Sequence, residues 1–288
     1  MSHHGGPSRP IAGRLHRLLR YPVKSMQGEQ VSAVSITADG LTGDRDWAIE
    51  DAATSLVASA KRPGRWGALL QCQARGAGDD VVVSVPTGAT APVTEPDAVA
   101  VLVGAYVGRQ VHLRHRSAAA HRIERTDPDL AADVSGEHLR LGDAQVGTLG
   151  GAAPGSLFDF APIHLVSTAT LDHLASVIGA GGADERRFRP NLIVDIDDEP
   201  YGENTWVGRD ITIGDVVLSV IVPTPRCAIP SLAQAGDLLA SADTVRVVAH
   251  QNRVDIPGIG RMPCLGAYAR VRTGGAVEVG MAISIAPA

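Results

Sequence analysis

The sequence is poor in cysteine and has no long apolar segment. Its three cysteines, Cys72, Cys227 and Cys264, are widely separated, which excludes a disulfide framework in a chain of 288 residues. The N-terminus lacks the continuous apolar core of a signal peptide, and no apolar run approaches the ~18 residues of a membrane-spanning helix. We therefore expect a cytoplasmic protein without a membrane span, with a flexible tail over residues 1–10.

Aromatic residues and lysines are also scarce. Three Trp, four Tyr and three Phe residues, with a net charge of −5, give no basic and aromatic surface of the kind that binds nucleic acid. Only two of the 26 basic residues are lysines, Lys24 and Lys61. Because arginine is the usual cation here, each lysine marks a position where a compact ammonium group suits better than a planar guanidinium.

Several common catalytic motifs are missing. The sequence contains no Walker loop, no dinucleotide-binding glycine fingerprint, no Gly-x-Ser-x-Gly nucleophile elbow and no internal repeat. These absences argue against a P-loop nucleotide hydrolase, a Rossmann dehydrogenase and a serine hydrolase. The apolar fraction of 44% is typical of a globular protein with one large domain or two ordinary ones.

Short alternating or apolar segments bounded by turn residues predict a mainly β protein with a few helices. The predicted strands are residues 15–21, 31–37, 45–50, 81–85, 111–113, 159–166, 192–195, 216–222, 244–249, 264–271 and 275–283. The predicted helices are residues 96–107, 169–178 and a short helix within 231–245. The composition changes over residues 114–155, so we expect an N-terminal domain at residues 11–125 and a second domain at 126–288.

Cys227 is the first candidate functional residue. It follows a predicted buried strand in the segment Val222-Pro223-Thr224-Pro225-Arg226-Cys227-Ala228-Ile229-Pro230, whose three prolines stiffen the loop. The adjacent Arg226 favours the thiolate and can hold an anion, which suits a soft-metal ligand or a nucleophile. A buried cysteine that acts as a small hydrophobe is the alternative, and it is the role we expect for Cys72 and Cys264. No second ligand lies within zinc spacing.

Side chains able to bind phosphate or a polar ring recur at the ends of predicted strands and at a helix start. They are Lys24, Ser25, Arg45, Ser167, Thr168, Arg189 and Asn191. A helix start binds phosphate well because its free N–H groups point outward. Each residue also has a structural alternative: a solvated charge at a strand end, a helix N-cap for Ser167 and Thr168, or an ion pair for Arg189.

Five short motifs together resemble a known family. They are Tyr21-Pro22-Val23-Lys24-Ser25, Asp44-Arg45-Asp46-Trp47, Phe188-Arg189-Pro190-Asn191, Ile213-Gly214-Asp215 and Arg226-Cys227. Their order and spacing are similar to those of MOSC-domain proteins with an N-terminal β-barrel domain, the family of the amidoxime-reducing component and its bacterial relatives. The resemblance covers about residues 11 to 285 and implies two β-barrel-like domains.

The resemblance also implies a molybdenum cofactor, in which molybdopterin binds molybdenum and a protein thiolate adds a further ligand. Cys227 would be that ligand, and the residues implied to hold the pterin and its phosphate are Lys24, Ser25, Arg45, Ser167, Thr168, Arg189, Asn191 and Arg226. The implied reaction removes oxygen reductively from an N-hydroxylated small-molecule substrate. Some relatives carry a fused iron–sulfur domain, which needs about four cysteines. We expect instead a separate electron-donor protein of the ferredoxin or flavoprotein type.

Two other functions remain open. Cys227 could hold a persulfide and deliver sulfane sulfur as a carrier, because the same thiolate would serve. The chain could also bind molybdopterin without turnover. The distributed pterin-binding set favours the molybdenum enzyme over the carrier, since a persulfide carrier has no need of it.

Overall fold

The computed structural model describes residues 11–126 and 141–287. The predicted flexible tail at residues 1–10 and part of the predicted domain junction lie outside the described residues. Within the described ranges the chain is mainly β with short helices, which confirms the predicted fold class.

The strands are β1 (Ile11–Arg20), β2 (Glu29–Val31), β3 (Ala33–Thr37), β4 (Gly40–Leu41), β5 (Trp47–Asp51), β6 (Gln73–Arg75), β7 (Val82–Ser84), β8 (Thr90–Pro92), β9 (Val111–His115), β10 (Arg122–Arg125), β11 (Gln145–Thr148), β12 (Ile163–Ser167), β13 (Leu192–Ile196), β14 (Asp210–Ile213), β15 (Val216–Pro225), β16 (Arg253–Ile256), β17 (Gly260–Thr273), β18 (Gly275–Glu278) and β19 (Ala282–Ile285). The α-helices are α1 (Pro63–Trp66), α2 (Pro96–Val107), α3 (Thr168–Ile178), α4 (Ala180–Ala183), α5 (Glu185–Phe188) and α6 (Ala242–Gln251). Short 3₁₀ turns cover Gly67–Gln71, Gly78–Asp80, Gly202–Trp206 and Ile229–Ser231.

Seven strands close into a barrel. Their order is β12, β13, β1, β19, β14, β15 and β17, and β17 pairs back onto β12. Every neighbouring pair is antiparallel except β12 and β13, which run parallel. The inner side chains come from alternate positions, as in Val216, Leu218 and Val220 of β15, and they pack around the fully buried Trp206. Closure leaves these seven strands without a free edge, so the barrel is a rigid frame for the loops at its rim.

The start of the chain contributes to this barrel. Strand β1 pairs with β13 and with β19, and β3 pairs with β18. These pairings join β1 and β3 to the second predicted domain. The boundary at residues 125/126 stays a prediction, and it falls between β10 and β11, which pair with each other.

A second core lies in the N-terminal half. Strand β5 pairs with β9, strands β6, β7 and β8 form a three-stranded sheet, and α2 covers these strands with its buried Val99 and Val103. Helix α2 begins with Pro96 and is followed by Gly108 in the left-handed conformation at φ +69°, which are the expected start and stop residues. The prediction of a helix at residues 96–107 is confirmed.

The strand predicted at residues 244–249 is wrong, because Ala242–Gln251 is helix α6. The β-branched residues of this segment favoured a strand, but its buried positions, Thr244, Val245 and Val248, have helical spacing. Val248 packs against Phe188 and Leu265 on the outside of the barrel. The short helix predicted within residues 231–245 therefore begins much later, and its expected start is only a 3₁₀ turn at Ile229–Ser231.

No helix in residues 11–126 or 141–287 has both the length and the apolar character needed to cross a membrane.

Candidate functional site

Cys227 lies just beyond the end of β15, on the barrel rim. Its loop is held to β17, because the backbone N–H of Arg226 donates to Pro263 O at 2.8 Å and Pro225 pairs with Cys264. Cys227 is partly exposed, whereas Cys72 and Cys264 are fully buried. Burial raises the pKa of the Cys72 thiol to about 12 and that of the Cys264 thiol to about 11. Of the three cysteines, Cys227 is therefore the one placed to react or to bind a metal.

A narrow polar cleft of about 60 Å³ opens beside Cys227. Seven of the nine predicted site residues line it: Lys24, Ser25, Arg45, Arg189, Asn191, Arg226 and Cys227. They come from the turn after β1, the turn before β5, the segment between α5 and β13, and the loop after β15. The fold thus brings together residues that are up to about 200 positions apart in the sequence.

Ser167 and Thr168 do not line this cleft. The Ser167 hydroxyl donates to Glu203 Oε1 at 2.8 Å and accepts from the backbone N–H of Thr170 at 3.2 Å, which makes it the N-cap of α3. Thr168 Oγ1 donates to Asp195 Oδ1 at 3.2 Å. The structural alternative, a helix cap, is the one that the structure adopts for Ser167.

Backbone hydrogen bonds and residues in the left-handed conformation define the two turns that carry Lys24, Ser25 and Arg45. The backbone N–H of Lys24 donates to Trp47 O at 2.9 Å, and that of Arg45 donates to Tyr21 O at 2.8 Å. Ser25 and Arg45 have φ +66° and +54°, a conformation that costs a side-chain-bearing residue about 1–2 kcal/mol. Such strain is often kept at functional sites because the surrounding structure imposes it.

Two arginines that line the cleft stack on one buried aromatic ring. The guanidinium carbons of Arg189 and Arg45 lie 4.4 and 5.1 Å from the Tyr21 ring centroid. Arg189 Nη1 donates to Met26 O at 2.7 Å, and Arg45 is ion-paired with Asp44. Burial, with the nearby charge of Arg45, lowers the pKa of Arg189 to about 10, so it stays protonated at neutral pH. Both guanidinium groups are therefore fixed as positive charges.

Two buried N–H groups in the cleft have no hydrogen-bond partner among the described residues. They are Arg189 Nη2 and Arg226 Nε. Arg226 is 7% exposed and Arg189 is 9% exposed, so water satisfies these donors poorly. Unpartnered cationic donors beside a partly exposed thiol indicate a place for an anionic ligand.

Asp159 was not predicted as a site residue, yet it bridges both lysines of the chain. Lys24 Nζ lies 2.8 Å from Asp159 Oδ1 and Lys61 Nζ lies 3.3 Å from Asp159 Oδ2. Burial opposes ionisation of Asp159, but Lys24 and Lys61 hold its pKa well below the usual range. Burial lowers the pKa of Lys24 to about 8, against the opposing effect of Asp159. The scarcity of lysine was the sequence signal for this cluster.

His164 also lines the cleft and was missed by the sequence analysis. It is buried in β12, with Nδ1 3.4 Å from Arg189 O and Nε2 3.3 Å from Leu265 O. Burial and then the charge of Arg226 lower its pKa to about 3. At neutral pH the ring is therefore uncharged, and one of its two nitrogens can donate a hydrogen bond to a backbone carbonyl.

Two protein-family models match the chain, one in each half. The MOSC domain matches residues 154–284, and the MOSC N-terminal beta barrel domain matches residues 12–110. No curated protein matches the chain.

Two of the solved structures that match the chain share little sequence with it. The YuaD protein from Bacillus subtilis is 11% identical, with a TM-score of 0.41, over 96% of this chain and 97% of that chain. YiiM from Geobacillus stearothermophilus is 14% identical, with a TM-score of 0.32, over 59% of this chain and 74% of that chain.

Proposed function

The chain belongs to the MOSC-domain proteins that carry an N-terminal MOSC β-barrel domain, and from this premise we propose that it is a molybdenum-cofactor-dependent oxidoreductase. In this proposal Cys227 is the protein ligand of molybdenum and the substrates are N-hydroxylated small molecules. The MOSC domain is related to the C-terminal domain of molybdenum cofactor sulfurase and is linked to the molybdenum cofactor in general. The particular cofactor form and the reaction belong to the proposal.

The residues of the cleft fit a phosphorylated pterin. The carboxylate among its lining residues is Asp159. The five cationic side chains that line it are Lys24, Arg45, Lys61, Arg189 and Arg226. The observation that carries the proposal is the pair of unpartnered buried donors, Arg189 Nη2 and Arg226 Nε, beside the partly exposed Cys227. Charge-assisted hydrogen bonds to phosphate oxygens would satisfy such donors. A thiolate is in turn a suitable ligand for a soft metal.

Each residue has a defined task in this proposal. Arg45, Arg189 and Arg226 would hold the anionic part of the cofactor, since each is fixed to a backbone carbonyl by another of its N–H groups. Ser25 accepts from Ala60 N at 3.1 Å and keeps its own hydroxyl hydrogen for a ligand. Asn191 holds β12 and β1 in place through His164 N and Leu19 O.

When bound, the cofactor would supply an acceptor for the substrate oxygen and a two-electron carrier. The overall reaction breaks the N–O bond, consumes two electrons and two protons, and yields the reduced nitrogen compound and water. Burial opposes the charge of Lys61, but the Asp159 carboxylate raises the pKa of Lys61 above its ordinary value. Lys61 is therefore a protonated donor beside Cys227 at neutral pH. The electrons would come from a separate donor protein of the ferredoxin or flavoprotein type.

A sulfur carrier is the second candidate, because the partial exposure of Cys227 would also suit a persulfide. A molybdopterin-binding protein without turnover is the third. A carrier makes no use of the unpartnered arginine donors, and this favours the molybdenum enzyme over it.

The test compares wild type, Cys227→Ala and the control Cys72→Ala, all produced in a host that makes the cofactor. We expect about one molybdenum per chain, and reduction of an N-hydroxy compound by a chemical electron donor, for wild type and Cys72→Ala only. Metal analysis and product formation measure these outcomes. A persulfide on Cys227 without molybdenum, detected by mass spectrometry, would instead identify the carrier. Molybdenum without reduction would identify the binding protein.

A further inference from the structure

A second cavity of about 450 Å³ adjoins the polar cleft at Cys227. The two share six lining residues: Lys61, Asp159, Pro225, Arg226, Cys227 and Tyr268. Cavities of this size accept small organic ligands. A molecule bound in this cavity therefore lies against a wall that includes Cys227.

Beyond the shared residues, the wall of this cavity is mostly apolar. Ile221 and Val222 come from β15, Met262 comes from β17, and Ile259 stands at the mouth, where it is 56% exposed. Ile259 is the last residue of the turn Ile256-Pro257-Gly258-Ile259. Its N–H donates to Ile256 O at 3.0 Å, and Gly258 has φ +77°, as a type II turn requires. The turn thus fixes an apolar side chain in solvent at the entrance.

We propose that this cavity binds the uncharged, apolar body of the substrate and directs its N-hydroxyl group toward Cys227. This inference rests on the proposed function and names the substrate class. An apolar wall gains free energy from an apolar body, whereas a phosphate would find its donors in the polar cleft. Among the residues that line the cavity, Lys61, Arg125 and Arg226 outnumber Asp159, and the two oxygens of Asp159 already face lysines. A cationic substrate is therefore disfavoured.

The first experiment measures binding without turnover. Acetamidoxime, benzamidoxime and 2-naphthamidoxime carry the same reacting group on bodies of increasing apolar area, and without an electron donor they are not reduced. We expect benzamidoxime to bind the cofactor-loaded protein at least about tenfold more tightly than acetamidoxime by ligand-observed NMR. The Ile259→Asp variant should lose most of this difference. The control Leu239→Asp makes the same type of change at a residue that is 78% exposed and does not line the cavity, and it should keep the difference.

The second experiment measures kcat/KM for the same compounds and the molybdenum content of each variant. A size dependence of binding that Ile259→Asp removes supports the apolar subsite, even if no compound is reduced and the proposed reaction fails. Equal binding of the three compounds, or a size dependence that Ile259→Asp leaves intact, overturns the subsite even if reduction occurs. A loss of molybdenum in Ile259→Asp but not in Leu239→Asp also overturns it, because the cavity would then hold the cofactor.

Discussion

Replacement of Asp159 by asparagine tests how the charges of the site are held. The substitution keeps the shape of the side chain and removes the carboxylate that pairs with Lys24 at 2.8 Å and with Lys61 at 3.3 Å. Lys24 is 4% exposed and keeps its bond to Leu157 O at 2.9 Å, so its ammonium stays buried with one neutral acceptor. Removal of one partner from a buried ion pair destabilises a protein by about 3–5 kcal/mol. We expect about 3 kcal/mol at pH 6, because the Asp159 side chain is 31% exposed.

The destabilisation should depend on pH in a defined direction. In the wild type the pKa of Lys24 is about 8, below its ordinary value of 10.5, so the unfolded chain binds more protons only between these two values. Stability therefore rises with pH in that window and is independent of Lys24 below it. Asp159 raises the pKa of Lys24, so the variant without this carboxylate should have a Lys24 pKa below 8. The pH range in which the stability of the variant rises with pH therefore extends below pH 8. The variant should regain up to about 1.4 kcal/mol per pH unit between pH 6 and 8.

Urea denaturation at pH 6, 7, 8 and 9 measures both effects, on protein from a host that cannot make the cofactor, so that ligand binding does not alter stability. The matched control is Asp210→Asn. Its carboxylate is also 31% exposed but pairs at 2.7 Å with Arg272, which is 63% exposed. That variant should lose less than about 1 kcal/mol at every pH, as exposed pairs do. If Asp159→Asn unfolds like this control, or if its stability does not rise between pH 6 and 8, Lys24 does not depend on Asp159.

Two further predictions concern the cysteines and one close approach of strands. Iodoacetamide at pH 8 should alkylate Cys227 in the native protein at least about tenfold faster than Cys72 or Cys264. The reason is that burial raises the pKa of Cys72 to about 12 and that of Cys264 to about 11. Peptide mass spectrometry measures the rates, and equal rates for the three cysteines would contradict the assignment. Gly266→Ala should cost at least about 2 kcal/mol more than Gly208→Ala. Both glycines have positive φ, but a Cβ at Gly266 would lie 2.4 Å from Leu165 O and one at Gly208 would meet nothing within 4 Å. Comparable urea midpoints for the two variants would refute this.

The features that the sequence predicted well depend on local signals. The run of β-branched residues in β15 and the prolines on either side of Arg226 and Cys227 act within a few residues, so the strand and its stiff loop followed directly. The motif around Arg189 likewise placed a guanidinium ahead of a buried strand. Their convergence on one cleft could be expected only from the family resemblance, because no local pattern specifies which strand ends meet.

The features that the sequence missed depend on distant partners. A hydroxyl at a helix start can cap the helix or bind a phosphate. The Ser167 hydroxyl donates its hydrogen bond to Glu203, which is 36 positions away in the sequence, and no local pattern predicts this contact. Asp159 gave no local signal because its partner Lys24 is 135 positions distant. In α6 the β-branched residues argued for a strand, and packing against the barrel overrode that local preference.

The division between arginine and lysine in this site has a physical reason. Arg189 and Arg226 each use one N–H on a backbone carbonyl, at 2.7 and 2.9 Å, and this fixes the direction of the N–H groups that remain. A planar guanidinium, whose N–H donors have a fixed geometry, suits that task. Lys24 instead reaches a carbonyl and a carboxylate oxygen at once, which a compact ammonium with rotatable donors can do in a buried space. Since the pKa of Lys24 is about 8, loss of its proton changes the charge of the cleft between pH 7 and 9.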